Sequence, residues 1–142
     1  METKDLQLIR ETWAHVLPIA DDAAGLFYGR LFELSPEIER LFGSTDMSAQ
    51  RAKLLAALNL AVRNLDNPDA LIPVLQDLGR RHIDYGVKDE HYEPVGSALL
   101  WTLEQGLGDA FTKDARDAWA AVYGVVSATM QDAARELAAN AA

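Results

Sequence analysis

Residues 71–87 read LIPVLQDLGRRHIDYGV, and their spacing decides the fold. Leu71, Leu75, Leu78 and His82 fall at i, i+4, i+7 and i+11, one stripe of an α-helix. A histidine therefore closes a line of leucines and is directed at the same interior. Gln76, Asp77, Arg80, Arg81 and Asp84 take the other faces. Two readings of His82 stand open at this point: a core histidine satisfied by a backbone carbonyl, or a metal ligand. Asn67-Pro68 opens the stretch with cap and proline in the usual order, and Gly86 suits the left-handed residue after the last turn. Pro73 is expected to bend or split this helix.

Around that stretch the apolar spacing stays helical, and no segment alternates with period two for long enough to make a strand. Leu6, Ile9, Trp13, Val16 and Leu17 form a first stripe that stops at Pro18. His15 lies off it and reads as a surface residue. Ala24, Phe27, Tyr28, Leu31 and Phe32 form a second. Ser35-Pro36-Glu37 restarts the chain with Ser as cap, Pro at the first helical position and acid in the first turn. That short helix presents Ile38, Leu41 and Phe42, and Gly43 to Asp46 end it. Ser48 is a candidate cap for a helix carrying Leu54, Leu55, Leu58, Val62 and Leu65. Asp89 is the candidate cap for the next, with Tyr92, Val95, Leu99, Leu100, Leu103 and Leu107, ending at Gly108. His91 sits beside this stripe and is expected at the surface or a rim. Thr112 caps a last helix with Ala115, Trp119, Val122, Val126 and Met130 inward.

The 142 residues are 49% hydrophobic with nine Gly and five Pro, enough for one domain over residues 1–142 with an Ala-rich end at about 137–142. A formal charge of −9 repels phosphate backbones and anionic lipid, so neither nucleic acid nor a membrane is expected as partner. The absence of cysteine excludes disulfides and thiolate chemistry. METKDLQL is charged from its second residue, unlike a signal peptide, and no apolar run approaches the roughly 20 residues of a membrane span. A cytoplasmic protein, monomer or weak homodimer, is the expectation.

Helices of unequal length broken by Pro and Gly suit angled ridges-into-grooves packing better than a matched bundle. Such packing leaves a pocket. The helix of Gln50 and Leu54 is expected to face the helix of Leu78 and His82, an amide and an apolar group opposite an imidazole. Gln50 on an apolar stripe is expensive to bury without a partner, and so close to a helix start the other reading is a solvated amide.

LFYGRLFELSPEIERLF, LGRRHIDYGV followed by HYEPVG, and WAAVYG together resemble the globin family. The resemblance is to bacterial single-domain haemoglobins and flavohaemoglobin globin domains, with LGRRH and WAAVYG also similar to neuroglobin. It covers about Leu6 to Met130 and implies an all-α globin fold of six to eight helices around a haem pocket. It implies haem b as cofactor, His82 as the iron ligand and Phe42 against the porphyrin. Leu78, Val87 and Tyr92 would line the cofactor on the same side as His82. Tyr28, Gln50 and Leu54 match the family's distal, ligand-binding pocket, and Lys53 and Arg81 are the basic residues placed to meet the propionates. An ungapped reading from Tyr123 puts Ala134 where flavohaemoglobins have a glutamate, with Glu136 two residues on, which speaks against a strong proximal push.

The implied function is reversible binding of dioxygen, and of nitric oxide or carbon monoxide, at five-coordinate ferrous iron. Neuroglobins have a histidine where this chain has Gln50, and glutamine is a poor iron ligand, so an open sixth position is expected. The alternatives are nitric oxide dioxygenation with an external reductase, which would make the chain an enzyme, and haem-based gas or redox sensing. A haem-free helical interaction domain is the remaining class.

Overall fold

A computed structural model describes residues 3–141, with the side chains of 138, 140 and 141 excepted. The first two residues of the N-terminal segment and the last of the Ala-rich end lie outside the described residues. Seven α-helices follow in order: α1 (Thr3–Val16), α2 (Ala20–Leu34), α3 (Pro36–Leu41), α4 (Met47–Arg63), α5 (Pro68–Asp84), α6 (Tyr92–Leu107) and α7 (Lys113–Ala141). Short 3-10 turns at Leu17–Ile19, Asp89–His91 and Gly108–Ala110 join them, and the described residues contain no strand. Among the described residues no helix is long and apolar enough to cross a membrane.

Packing follows the stripes. α5 lies along α7 and α2 along α6, while α1 packs on α7 and α2 also meets α3 and α4. Ile9, Trp13, Phe27, Leu31, Leu99, Leu103 and Trp119 build one core, and Leu71, Leu75 and Met130 a second beside it. Polar groups inside the first core are paired: Trp119 Nε1–H donates to Thr12 Oγ1 at 2.8 Å, and the Thr12 hydroxyl donates to the Leu8 carbonyl. Trp13 Nε1–H reaches Asn59 Oδ1 at 3.1 Å.

Local chemistry sets most boundaries. Ser35 Oγ accepts from Ile38 N–H, and Thr112 Oγ1 from Ala115 N–H. Gly86 and Gly108 take positive φ after α5 and α6, where a side chain would be strained. Four expectations are corrected. Asp46, not Ser48, caps α4, because its carboxylate accepts from the N–H groups of Ser48 and Ala49. Asp89 begins a 3-10 turn rather than capping α6, which starts at Tyr92. Leu17 is half exposed, since the 3-10 turn rotates it off the α1 stripe. α5 runs unbroken through Pro73: the acceptor left without a donor, the Asp69 carbonyl, lies in the exposed first turn, and Leu71 and Leu75 anchor the helix.

Candidate functional site

α5 reaches α7 through Gly79. A Cβ there would stand 2.7 Å from both the carbonyl carbon and Cα of Met130, so a side chain would force the two helices apart. Leu71, Leu75 and Gly79 are buried against α7, whereas Leu78 and His82 are half-buried, farther round the helix. The helix then ends in a Schellman turn, with Gly86 N–H on the Ile83 carbonyl and Val87 N–H on the His82 carbonyl, both at 3.0 Å. The imidazole is thereby placed one turn before a rigid stop.

His82 Nδ1 is hydrogen-bonded to the Leu78 carbonyl. A carbonyl only accepts, so Nδ1 carries the proton and Nε2 the lone pair. Nε2 makes no hydrogen bond among the described residues. Burial pushes the imidazole pKa below its ordinary value, with the Leu78 carbonyl acting in the opposite direction, so the ring is neutral at pH 7. A neutral, oriented imidazole with Nε2 uncommitted has the donor chemistry that would hold a haem iron.

Tyr28 on α2 is buried in an aromatic box. Its ring centroid lies 5.0 Å from Phe27, 5.9 Å from Phe32 and 5.6 Å from Phe42. Gln50, from the first turns of α4, donates its Nε2–H to the Tyr28 hydroxyl oxygen at 3.2 Å. This is the partner that an amide on an apolar stripe requires. Burial raises the phenol pKa, and the bond from Gln50 opposes that only in part, so Tyr28 keeps its proton. Its own O–H has no acceptor among the described residues and is available to a ligand. Leu54 follows one turn on, half-buried against the core.

The remaining expected residues divide. Val87 and Tyr92 are half-buried on either side of the Asp89–His91 turn. The Tyr92 carbonyl accepts from Tyr123, whose ring fills the space left by Gly96; burial and the neighbouring Tyr92 push the Tyr123 phenol far up. Lys53 and Arg81 are both exposed, and Arg81 pairs with Asp77 on its own helix at 2.9 Å. Ala134 is half-buried on α7, with Glu136 exposed beyond it. His15 is exposed, as its spacing predicts. His91 is not at the surface: it is 3% exposed. Its Nδ1 accepts from Lys88 N–H at 3.0 Å and its Nε2 lies 3.2 Å from Glu37 Oε1, so it closes the turn before α6 rather than flanking that helix. Spacing missed this because His91 belongs to a tight turn, not to a helical stripe. The readable signal was its place three residues after Lys88, where a side-chain acceptor can cap a turn.

A shallow groove of about 580 Å³ over Gly25, Gly29 and Trp101 contains none of these residues.

A family model described as Globin matches residues 25–130. A neuroglobin of Tetraodon nigroviridis is 34% identical over 143 residues, covering 92% of this chain and 90% of that protein. A flavohemoprotein of Bacillus subtilis is 34% identical over 129 residues, 89% of this chain but 32% of its own length. The chain thus spans about a third of the flavohemoprotein it matches. The crystal structure of a "hexacoordinated heme protein from anhydrobiotic tardigrade at pH 4" superposes with a TM-score of 0.86 at 18% identity, over 95% of this chain and 96% of that one.

The expectation of a five-coordinate ferrous dioxygen carrier is corrected by these findings. The same chain trace is that of a hexacoordinated haem protein, so the fold does not impose an open sixth position. The absence of a distal histidine therefore no longer decides the coordination. A simple carrier also leaves unexplained the cluster of His91 and Glu90, in the turn before Tyr92, with Glu37 of α3.

Proposed function

The chain belongs to the globin family, and we propose that it is a haem b protein for redox or gas sensing, with its sixth iron position filled by a side chain until a diatomic ligand displaces it. The observation that carries this is the Tyr28–Gln50 pair, a polar couple whose phenol is held among aromatic rings. His82 would hold the iron through Nε2, with Leu78, Val87, Tyr92 and Phe42 against the ring and Lys53 and Arg81 near its propionates. The haem supplies a one-electron couple and a site for dioxygen, nitric oxide or carbon monoxide.

The protein's own groups give the sensing behaviour. Leu78 fixes the His82 tautomer and so the direction of the Nε2 lone pair. Gln50 donates to the Tyr28 oxygen, which leaves the Tyr28 O–H free to donate to a polar ligand. The phenol is a ligand type for ferric haem, while the thioether of Met47, half-buried on α4 three residues before Gln50, suits ferrous haem. A gas must compete with these groups, so its binding is coupled to movement of α2 or α4. Leu54 and Phe42 keep water from the polar pair.

A second reading, nitric oxide dioxygenation with a separate reductase, is favoured by the flavohemoprotein relatives. Ala134 in place of a carboxylate gives no support to a strong proximal push.

The test is the visible spectrum of the haem-loaded protein reduced without oxygen. Two sharp bands are expected, and Met47→Leu should collapse them to one broad band. Tyr28→Phe should alter the ferric spectrum alone. One broad band in the unmodified reduced protein overturns the proposal. Fast, sustained nitric oxide consumption with a supplied reductase would favour the second reading.

A further inference from the structure

The buried histidine that the haem pocket does not use is His91. It stands where three parts of the fold meet. Its Nδ1 accepts from Lys88 N–H at 3.0 Å, and the Lys88 carbonyl accepts from His91 N–H at 3.0 Å, so the ring closes the turn Asp89–His91 upon itself. Its Nε2 lies 3.2 Å from Glu37 Oε1 on α3, but off the line of a formed hydrogen bond. Lys88 Nζ is 3.3 Å from the same oxygen. Glu90 completes the acidic side, and Asp89 is turned toward Arg135 of α7 at 3.0 Å.

Such a cluster suggests a divalent metal at first sight, yet the tautomer opposes it. Nδ1 is an acceptor here, so in the neutral ring the proton sits on Nε2, where a metal would need the lone pair. The Lys88 ammonium also holds the carboxylate that the metal would require. The geometry instead suits a proton. Neutral His91 accepts from Lys88 N–H at Nδ1 and keeps its proton on Nε2, 3.2 Å from Glu37 Oε1. Adding a proton to Nδ1 sets two N–H donors against each other at Lys88, while the ring's attraction to Glu37 grows. The turn must then open.

We propose that His91 is a proton-operated latch on the turn Asp89–His91, anchored to α3 through Glu37: the turn is closed on Lys88 N–H while His91 is neutral and opens when it is protonated. The latch joins two walls of one site: α3 is capped at its end by Phe42, and the turn lies between Val87 and Tyr92. Its effect on a bound haem rests on the function proposed above; the latch itself does not.

The experiment is nitrogen-15 NMR of the holoprotein as its reduced carbon monoxide complex, titrated from neutral to acidic pH. If haemin is not taken up, the haem reading fails on that ground, and the same titration on the haem-free chain still tests the latch. Expected are an Nε2–H tautomer for His91 at neutral pH and a loss of at least tenfold in Lys88 amide protection, with the midpoint of the His91 titration. His91→Gln offers an acceptor without a titrating proton, the usual side chain for this capping position. It should keep Lys88 protected throughout and remove the pH response. An Nδ1–H tautomer, protection indifferent to His91 protonation, or His91 signals displaced by micromolar zinc chloride would each overturn the latch.

Discussion

Replacing Gly79 by alanine reverses the usual effect of that substitution. Inside a helix, Gly→Ala stabilises by roughly 0.5–1 kcal/mol, because alanine loses less backbone entropy on folding. At Gly79 the new methyl would lie 2.7 Å from two backbone carbons of Met130, against an ordinary carbon–carbon contact of about 3.5–4.0 Å. Neither neighbour is a flexible side chain, so α5 and α7 must separate by about an ångström, and overpacking of this kind costs roughly 1–3 kcal/mol. Set against the propensity gain, the net loss is about 1–2 kcal/mol, which for a chain of this size lowers Tm by about 3–7 °C. Urea unfolding followed by circular dichroism should show a lower midpoint with unchanged slope. Gly29→Ala is the control: a Cβ there meets nothing within 4 Å, so it should raise the midpoint by the propensity term alone. Two variants that move stability in the same direction by the same amount would refute the close approach of α5 to α7. The substitution also lies three residues before His82, so the holoprotein should release haemin faster.

Thr12→Val removes the acceptor of the buried Trp119 indole while keeping the side chain's shape. It should cost about 1–3 kcal/mol, and Thr12→Ser much less, by tryptophan fluorescence in urea. The Lys88 ammonium first, and then His91, hold the Glu37 carboxyl below the ordinary carboxylate range. Its contribution to stability is therefore fully present above about pH 4.5 and is lost as pH falls through the lower folded value. Glu37→Gln should flatten that acid limb of the stability–pH curve, and an unchanged limb would refute the pairing.

The legible parts of the fold were those carried by neighbours in sequence. The stripe Leu71, Leu75, Leu78 and His82 forms α5, and its first two leucines bury against α7. Ser35 and Thr112 cap as their types predict, and Gly86 takes its left-handed turn. Gln50 on an apolar face left two readings open, solvated near the helix start or buried with a partner, and the structure supplies the partner, Tyr28. The illegible parts depend on groups far apart in the chain. Gly79 gave no sign of its role, since what it admits is the backbone of Met130, 51 positions on. His91 reads as a surface residue because its burial comes from α3 packing against the turn before α6. Asp46 and Ser48 are both good caps by type, and the backbone trace decides between them.

The sequence by itself determined the helices, their inward faces and the family to which they belong, because helical period and end chemistry are local properties. It did not determine how a bound haem iron would be coordinated, which depends on how the helices carrying Tyr28 and Gln50 pack. Only the tertiary structure paired Tyr28 with Gln50, brought α5 within backbone contact of α7 and set His91 against Glu37. Each of these joins residues more than 20 positions apart, and their distances are fixed by how whole helices pack, not by the residues that carry them.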